Sequence, residues 1–482
     1  MATQATQQRA SLGRAAPAAP IDPVTVEVIR GAMETVAYEM ATHVSLSATT
    51  PILNQSNERN ATILDGRGAL GALSVGIPQF MLSSTLPVRF ALEFFKEEGL
   101  NDGDVLVAND PYHGGGHLPD YNVFAPVVVD GELVLIASIQ CHHADTGGGM
   151  PGGYNAEAID IWAEGVRFPA LKLYDRGVER RDLTYMLKVN NRTPTFIGDL
   201  RAQVGAAQLG VKRLKEIIAR YGAPVVKAAV DHSIAYAARR FREEVASWPD
   251  GSYEADAWVD HDPIGNPDIH VHVKVTVAGD RLTVDMTGSD ARPELVCVWN
   301  TYSNTRGYAM AQLASMIDPT IPKNEGLFDA VEMIVPEGSI LQPPDGKPVA
   351  LGAFHPAVEV GEAICIALSE ILPERSSPQV YKLGMPNAVV GFDERGQMWM
   401  DQGVDVRASD ASAARGVDGW GAMCSGLGNL ILATAEEAES RFPVLNLSRE
   451  LTPDTGGADR TCGPVLHAEV GADDQGSAPN PT

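Results

Sequence analysis

Two apolar runs, "DVLVA" at 104–108 and "LVLIASIQ" at 133–140, leave this chain little freedom. Neither alternates polar with apolar residues, so each has to be covered on both faces, as an interior strand between packed layers is. Each also ends abruptly in polar residues: Asn109–Asp110 after the first, His142–His143 and then Asp145 after the second. Interior strands that deliver polar groups at their ends are a common way for a rigid scaffold to present a site.

The rest of the chain can be hung on those strands. Asp130–Gly131 between "NVFAPVVV" and "ELVLIASIQC" is a hairpin signal. Apolar residues at helical spacing predict helices from Val24 to about His43 and over 84–97. A long helical block follows from Asp199, read as an N-cap, to about Val245, broken at Gly222. Strands are expected at 252–259, 268–277, 281–286 and 328–335, with a tight turn at Gly279–Asp280, and helices at 304–316 and 357–371. This order predicts an α+β fold in two lobes with mixed sheets and packed helices. The expected boundaries are a disordered leader at 1–21, an N-terminal lobe at 22–248 that carries the site, a C-terminal lobe at 249–465, and a disordered tail at 466–482.

Charge narrows the function. With 62 acidic against 37 basic residues the net charge is −25, which disfavours a nucleic-acid or anionic-membrane partner. The apolar runs "FAPVVV" and "LVLIASI" fall far short of the roughly 20 residues a bilayer requires. Cysteines 141, 297, 365, 424 and 462 are scattered, with no CxxC pair, so a reducing cytoplasm is expected.

Four of the chain's 11 histidines fall in "NDPYHGGGHLPD" and "CHHADTGGG". Pro119 disfavours helix at Leu118, so His117 and Asp120 flank a turn that can aim both side chains at one centre. Two imidazoles and a carboxylate with positions left open are the ligand set of a catalytic divalent metal: zinc, iron or manganese. His142 and His143 are adjacent on a strand end and point to opposite sides, so only one of them ligates. Asp145 and His113 are expected to orient the ligating rings. Asp110 and His113 count with Glu58 and Arg59 as candidate substrate contacts, although an exposed ion pair is the commoner fate of a Glu–Arg neighbour pair. The flanking glycines permit positive φ and close approach of backbone to a ligand. Asp268, His270 and His272 share one face of a strand and are read as its solvent side. No GxxxxGK[ST], GxGxxG or GxSxG motif is present, so a nucleotide, if needed, binds another polypeptide.

"DPVTVEVIRGAMETVAYEM", "NDPYHGGGHLPD", "HHADTGG", "GDLRAQVGAAQLGVKRL", "VDMTGSD", "IPKNEG" and "PEGSILQP" occur in that order. Together they closely resemble the hydantoinase B/oxoprolinase family over about residues 22–460. The resemblance implies metal ligands at His117, Asp120 and His142, and a hydantoinase A-type partner subunit that binds ATP and phosphorylates a carbonyl oxygen. It implies ring opening of a cyclic amide, with the metal activating water and Asp145 or His143 moving the proton. Ketone carboxylation of the acetone carboxylase type is the second expectation, and a non-catalytic scaffold subunit the third. Where relatives commonly carry an acidic residue and an aromatic after the "ER" pair, this chain has Asn60–Ala61. "PDTGGADRTCGPVLHAEV" begins like the family's glycine-rich motif and then departs from it, stopping short of the usual β-rich C-terminal portion.

Overall fold

The computed structural model describes residues 21–377, 389–401, 409–411, 413–416, 418, 420–423, 431, 433–451 and 466–472. Helix α1 (Pro23–Ser47) opens with Asp22 accepting the Thr25 N–H at 3.0 Å and with proline in its first position. Both devices satisfy or remove donors that a helix start leaves unpaired. Its buried stripe, Ile29, Met33, Val36, Met40 and Val44, lies against α4 (Phe196–Tyr221) and α5 (Ala223–Val245). Gly222, at φ +84°, separates α4 from α5, as expected.

Seven strands form the first sheet: β1 (Arg59–Asp65), β2 (Leu70–Leu73), β3 (Val105–Ala108), β4 (Asp120–Val129), β5 (Glu132–His142), β6 (Leu171–Asp175) and β7 (Val178–Glu179). Their spatial order is β2-β1-β5-β4-β3-β6-β7, and every neighbouring pair is antiparallel. Asp130 and Gly131, at φ +51° and +81°, make the two-residue turn joining β4 to β5. All of β3 and the first eight residues of β4 are buried, as are the last nine of β5, so the uninterrupted apolar runs mark interior strands.

Side-chain alternation gives the two faces different fates. Ala61, Ile63, Val123 and Ile139 pack under α1 and α4. On the opposite face Leu64, Phe124 and Ile136 pack against Val88 and Ala91 of α3 (Thr85–Phe94). Along that same face the strands turn polar: Thr62, Asn60 and Glu58 run towards one end on β1 and just before it, Ser138, Gln140 and His142 on β5, Asn122 and Asp120 on β4. All eight are buried. Burying polar groups costs stability unless they are paired, so this half of the face is kept for something other than packing.

The second sheet, in the order β11-β10-β9-β8, comprises β8 (Gly251–His261), β9 (Pro267–Ala278), β10 (Arg281–Asp285) and β11 (Val331–Ile334). Ile269, Val271, Val273, Val275 and Val277 line its buried face beneath α7 (Ala357–Ser369). Helix α6 (Tyr302–Ser315) packs against α7 and against a short helix, α2 (Pro78–Ser83), from the first half of the chain. Tyr112, Leu118 and Ile161 also join the second sheet's core, so the loops around the first sheet's polar end are held from the far half of the chain. Among the described residues Leu351–Ser369 is the one segment long and apolar enough to cross a bilayer, and 89% of it is buried inside the fold.

Three expectations change. Asp199 lies inside the first turn of α4 rather than capping it; the carboxylate instead accepts the Thr49 N–H (2.6 Å) and both the Thr49 and Thr50 hydroxyls (2.8 and 2.6 Å). A strand expected over 328–335 shortens to 331–334, because residues 325–330 wind into a 3₁₀ turn. Leu466–Ala472 pairs antiparallel with Val444–Leu451, so strand continues past the expected start of the tail at 466. The leader (1–20), the glycine-rich stretch at 453–464 and residues 473–482 lie outside the described residues.

Candidate metal centre

The β4–β5 hairpin sets the centre of the site, because Asp120, first residue of β4, stands directly across from His142, last residue of β5. His117 arrives from the turn before β4, which closes when the Asp120 N–H donates to the His117 carbonyl at 2.9 Å. His117 Nδ1 lies 2.8 Å from Asp120 Oδ2, and His142 Nδ1 lies 3.3 Å from Asp120 Oδ1. The two imidazole centroids are 4.9 Å apart. One ligand atom from each of the three falls within 4.8 Å of the others, and all three side chains are buried. Donors that close can share a single ion at bond lengths of about 2 Å after small adjustments.

The electrostatics fit a cation. Burial raises the pKa of Asp120, but His117 and His142 outweigh it and hold the carboxyl below the usual range. Burial works against a charged His117, and the Asp120 carboxylate overrides it and lifts the imidazole's pKa. The close approach of His117 Nδ1 to Asp120 lacks hydrogen-bond geometry, so this buried nitrogen has no hydrogen-bond partner. A buried imidazole nitrogen without a proton partner, beside an ionised carboxylate, is a donor set suited to a metal ion.

Glycines make room for the arrangement. A Cβ on Gly116 would sit 2.3 Å from Asp120 Oδ2 and 3.2 Å from Asn304 Oδ1, so only hydrogen fits there. Gly114, at φ +102°, brings its backbone against Leu86 and Pro87.

The other expected residues divide. Glu58 joins the cluster: its Oε2 lies 3.7 Å from His142 Nδ1, and its carbonyl accepts the His142 N–H at 3.0 Å. Arg59 points to the opposite sheet face, donating to the Ala41 and Leu53 carbonyls; it is neither an exposed ion pair nor a lining of the cluster. His143 also faces away, bonded to Gln203 at 2.7 Å and flanked by Tyr121 and Phe196, and burial lowers its pKa. Asp145 accepts from the N–H groups of Gly147, Gly152 and Arg192 and from the Arg192 guanidinium, so it organises the second glycine-rich loop. Asp110 caps the turn at 111–113 and binds both His113 (2.6 Å) and Arg167 (2.8 Å). Strand alternation explains the exclusion of Arg59 and His143: each sits one residue from a member of the cluster.

Sequence reasoning missed Tyr154, Thr301, Ser303, Asn304 and Glu164. The Tyr154 hydroxyl, carried in by the glycine loop, lies 3.1 Å from His142 Nε2 and 3.4 Å from His117 Nε2. Its position just after "GGGMPGG" was the available signal. Asn304 and Thr301, in and just before the first turn of α6, are buried; both amide atoms of Asn304 and the Thr301 hydroxyl have no hydrogen-bond partner. Ser303 anchors that turn to the site by donating to the Gly114 carbonyl at 2.6 Å. Glu164, buried between halves of the chain, accepts the N–H groups of Val349 and Ala350, both at 2.9 Å. Burial pushes its carboxyl up to about 8 despite those two donors. Asn60, seen only as a departure from the family pattern, likewise has both amide atoms unpaired, on the sheet face of Glu58 and His142.

The family profile of hydantoinase B/oxoprolinase matches residues 22–465. The chain belongs to this family. A protein named as the B component of a D-/L-hydantoinase, from Pseudomonas sp. (strain NS671), is 30% identical over 442 residues, spanning 88% of this chain and 73% of that one. The beta chain of the caprolactamase of Pseudomonas jessenii is 29% identical over 445 residues, spanning 91% and 76%. Among solved structures, an ATP-dependent caprolactamase from Pseudomonas jessenii superposes with a TM-score of 0.86 at 28% identity, covering 94% of this chain and 79% of that one. A nucleotide-free acetone carboxylase shares the fold (TM-score 0.84, 18% identity, 94% and 62% covered).

Proposed function

We propose that this hydantoinase B family member is the metal-bearing subunit of an ATP-dependent cyclic amidohydrolase, acting on a carbonyl that an A-type partner subunit has phosphorylated. The observation that carries the reading is the convergence of His117, Asp120 and His142 on one buried point. The sequence carries no GxxxxGK[ST] motif, which is consistent with ATP on the partner, and the likeness to an ATP-dependent caprolactamase supports both the nucleotide and the lactam-like substrate. Cys141, Cys297 and Cys365 are buried free thiols, which suits a reducing cytoplasm.

His117, Asp120 and His142 would hold a divalent ion such as zinc, manganese or iron. When bound, such an ion lowers the pKa of water towards neutrality and polarises a carbonyl oxygen. The protein's own groups do the rest. Asp120 orients the His142 ring by a hydrogen bond at its Nδ1 and stands 2.8 Å from His117 Nδ1, and the Tyr154 hydroxyl, against both Nε2 atoms, is placed to give or take a proton at whatever binds there. Asn60 and Asn304 offer unpaired N–H and C=O groups, the complement of a ring amide. Phosphorylation matters because it turns a poor leaving oxygen into a good one.

The test is co-expression with an ATP-binding partner subunit and assay of ATP hydrolysis against hydantoins, lactams, and ketones with bicarbonate. Turnover that depends on a cyclic amide and disappears in His117→Ala is expected. Bicarbonate-dependent turnover would assign a ketone carboxylase instead. Amide-dependent turnover that survives loss of His117 would make this chain a scaffold.

A further inference from the structure

A second group of donors lies on the other sheet, apart from the buried cluster. His270 and His272, two residues apart on β9, project from its outer face, while Val271 between them is buried in the core. The third member is supplied by the neighbouring strand. Asp256 on β8 stands directly across from His272, and its Oδ1 meets His270 Nε2 at 2.6 Å and His272 Nδ1 at 2.8 Å. Asp268, which the sequence grouped with this pair, is the second residue of β9, at φ +52°, and is not part of the trio. The side chains are about a quarter exposed for the histidines and half exposed for Asp256, so a hydrated ion can reach them without the protein opening.

We propose that Asp256, His270 and His272 form a second divalent-cation site, suited to an ion of the zinc class, with water completing the coordination. The scaffold is rigid where it counts: the donors stand on strands of 11 and 12 residues whose inner faces are anchored in the core. Histidines two apart on one strand present their rings side by side, here with centroids 6.1 Å apart. The ligand atoms of all three residues lie within 4.8 Å of one another. A tetrahedral ion with bonds of about 2.1 Å spaces its ligands by roughly 3.4 Å, so the two rings withdraw from the carboxylate oxygen by only about 0.7 Å. Both imidazoles now meet Asp256 through the nitrogens that would bind, and a change of tautomer exposes their lone pairs. The chain's net charge of −25 adds to the local attraction for cations. Bound there, the ion would pin β8, the edge strand, to β9.

Trp258 provides the readout, because its indole stacks on His270 with centroids 4.3 Å apart at 23°. Full-length chain stripped with chelator is titrated with zinc chloride by calorimetry, and with copper(II) by tryptophan emission. The wild type is expected to bind one more zinc ion than the His270→Ala/His272→Ala double variant. Zinc should also raise its melting temperature by more. Copper should quench, saturably, the part of the emission that Trp258→Phe removes. Asp120→Ala should keep this second ion. Equal zinc stoichiometry in wild type and double variant would overturn the site, as would wild-type Trp258 emission indifferent to copper. Neither outcome depends on what the buried cluster does.

Discussion

The buried cluster at the end of the β4–β5 hairpin and the exposed one on β8–β9 contain the same donors, two histidines and one aspartate, yet they are different chemical objects. In the exposed trio one carboxylate oxygen takes both imidazoles, solvent can satisfy every other valence, and the group is content without an ion. The buried trio spreads its imidazoles over both oxygens of Asp120 and leaves His117 Nδ1 without a hydrogen bond, and Asn60, on the same sheet face, and Asn304, beside Gly116, are unpaired as well. Composition does not distinguish a binding cluster from a reactive one. Solvent exclusion does, since it strengthens each charge and leaves polar groups waiting for a ligand.

Matched substitutions sharpen that contrast most. Asp120→Asn should weaken zinc binding at the buried cluster by about a hundredfold or more and abolish amide-dependent turnover, because a neutral amide cannot replace a desolvated carboxylate. Asp256→Asn should cost its own site only about tenfold, with turnover unchanged. Equal losses measured by calorimetry would break the comparison. A smaller effect is expected from Asn304→Leu, which removes unpaired polar atoms from a buried place. Thermal denaturation should show a gain of about 1 kcal/mol, while KM for the amide rises roughly tenfold and metal content holds. A stability loss with unchanged KM would make Asn304 structural. The smallest effect is a slope. Glu164 stays protonated in the fold up to about pH 8, whereas 4.5 is its ordinary value. Unfolding therefore releases a proton between those limits, and stability falls as pH rises from about 4.5 to about 8. Glu164→Gln should flatten that fall in melting temperature, and identical slopes would remove Glu164 as its source.

Much of the fold was legible because the patterns were one-dimensional. Unbroken apolar runs marked β3 and β5, Asp130–Gly131 marked the hairpin, and Gly222 the break between long helices. Strand alternation was enough to put His142 and His143 on opposite faces, while the choice of His142 came from the family resemblance. Asp199 misled because a helix start and a carboxylate that ties down residues 49–50 look alike without the partner. Glu58, Tyr154 and Asn304 meet the cluster from segments up to 187 positions from His117 (304 − 117), and no local spacing encodes that meeting. Local spacing likewise could not bring Asp256, from the neighbouring strand, beside His270 and His272.

Asp120 and His142 face each other only because the eight rungs of the β4–β5 ladder from Asp120 to Val127 lie in one particular register, set off by an irregularity at Val127–Val128 from the two rungs beside the turn. Sliding β5 by a single residue would bring Cys141 or His143 opposite the aspartate and turn that strand's side chains to the opposite face. Chelation and core formation are thus two readouts of one alignment. A lone insertion in the turn at 130–131 has to be absorbed before it reaches the ladder, and a bound ion at the far end would act as a clasp that tells a correctly threaded hairpin from a misthreaded one.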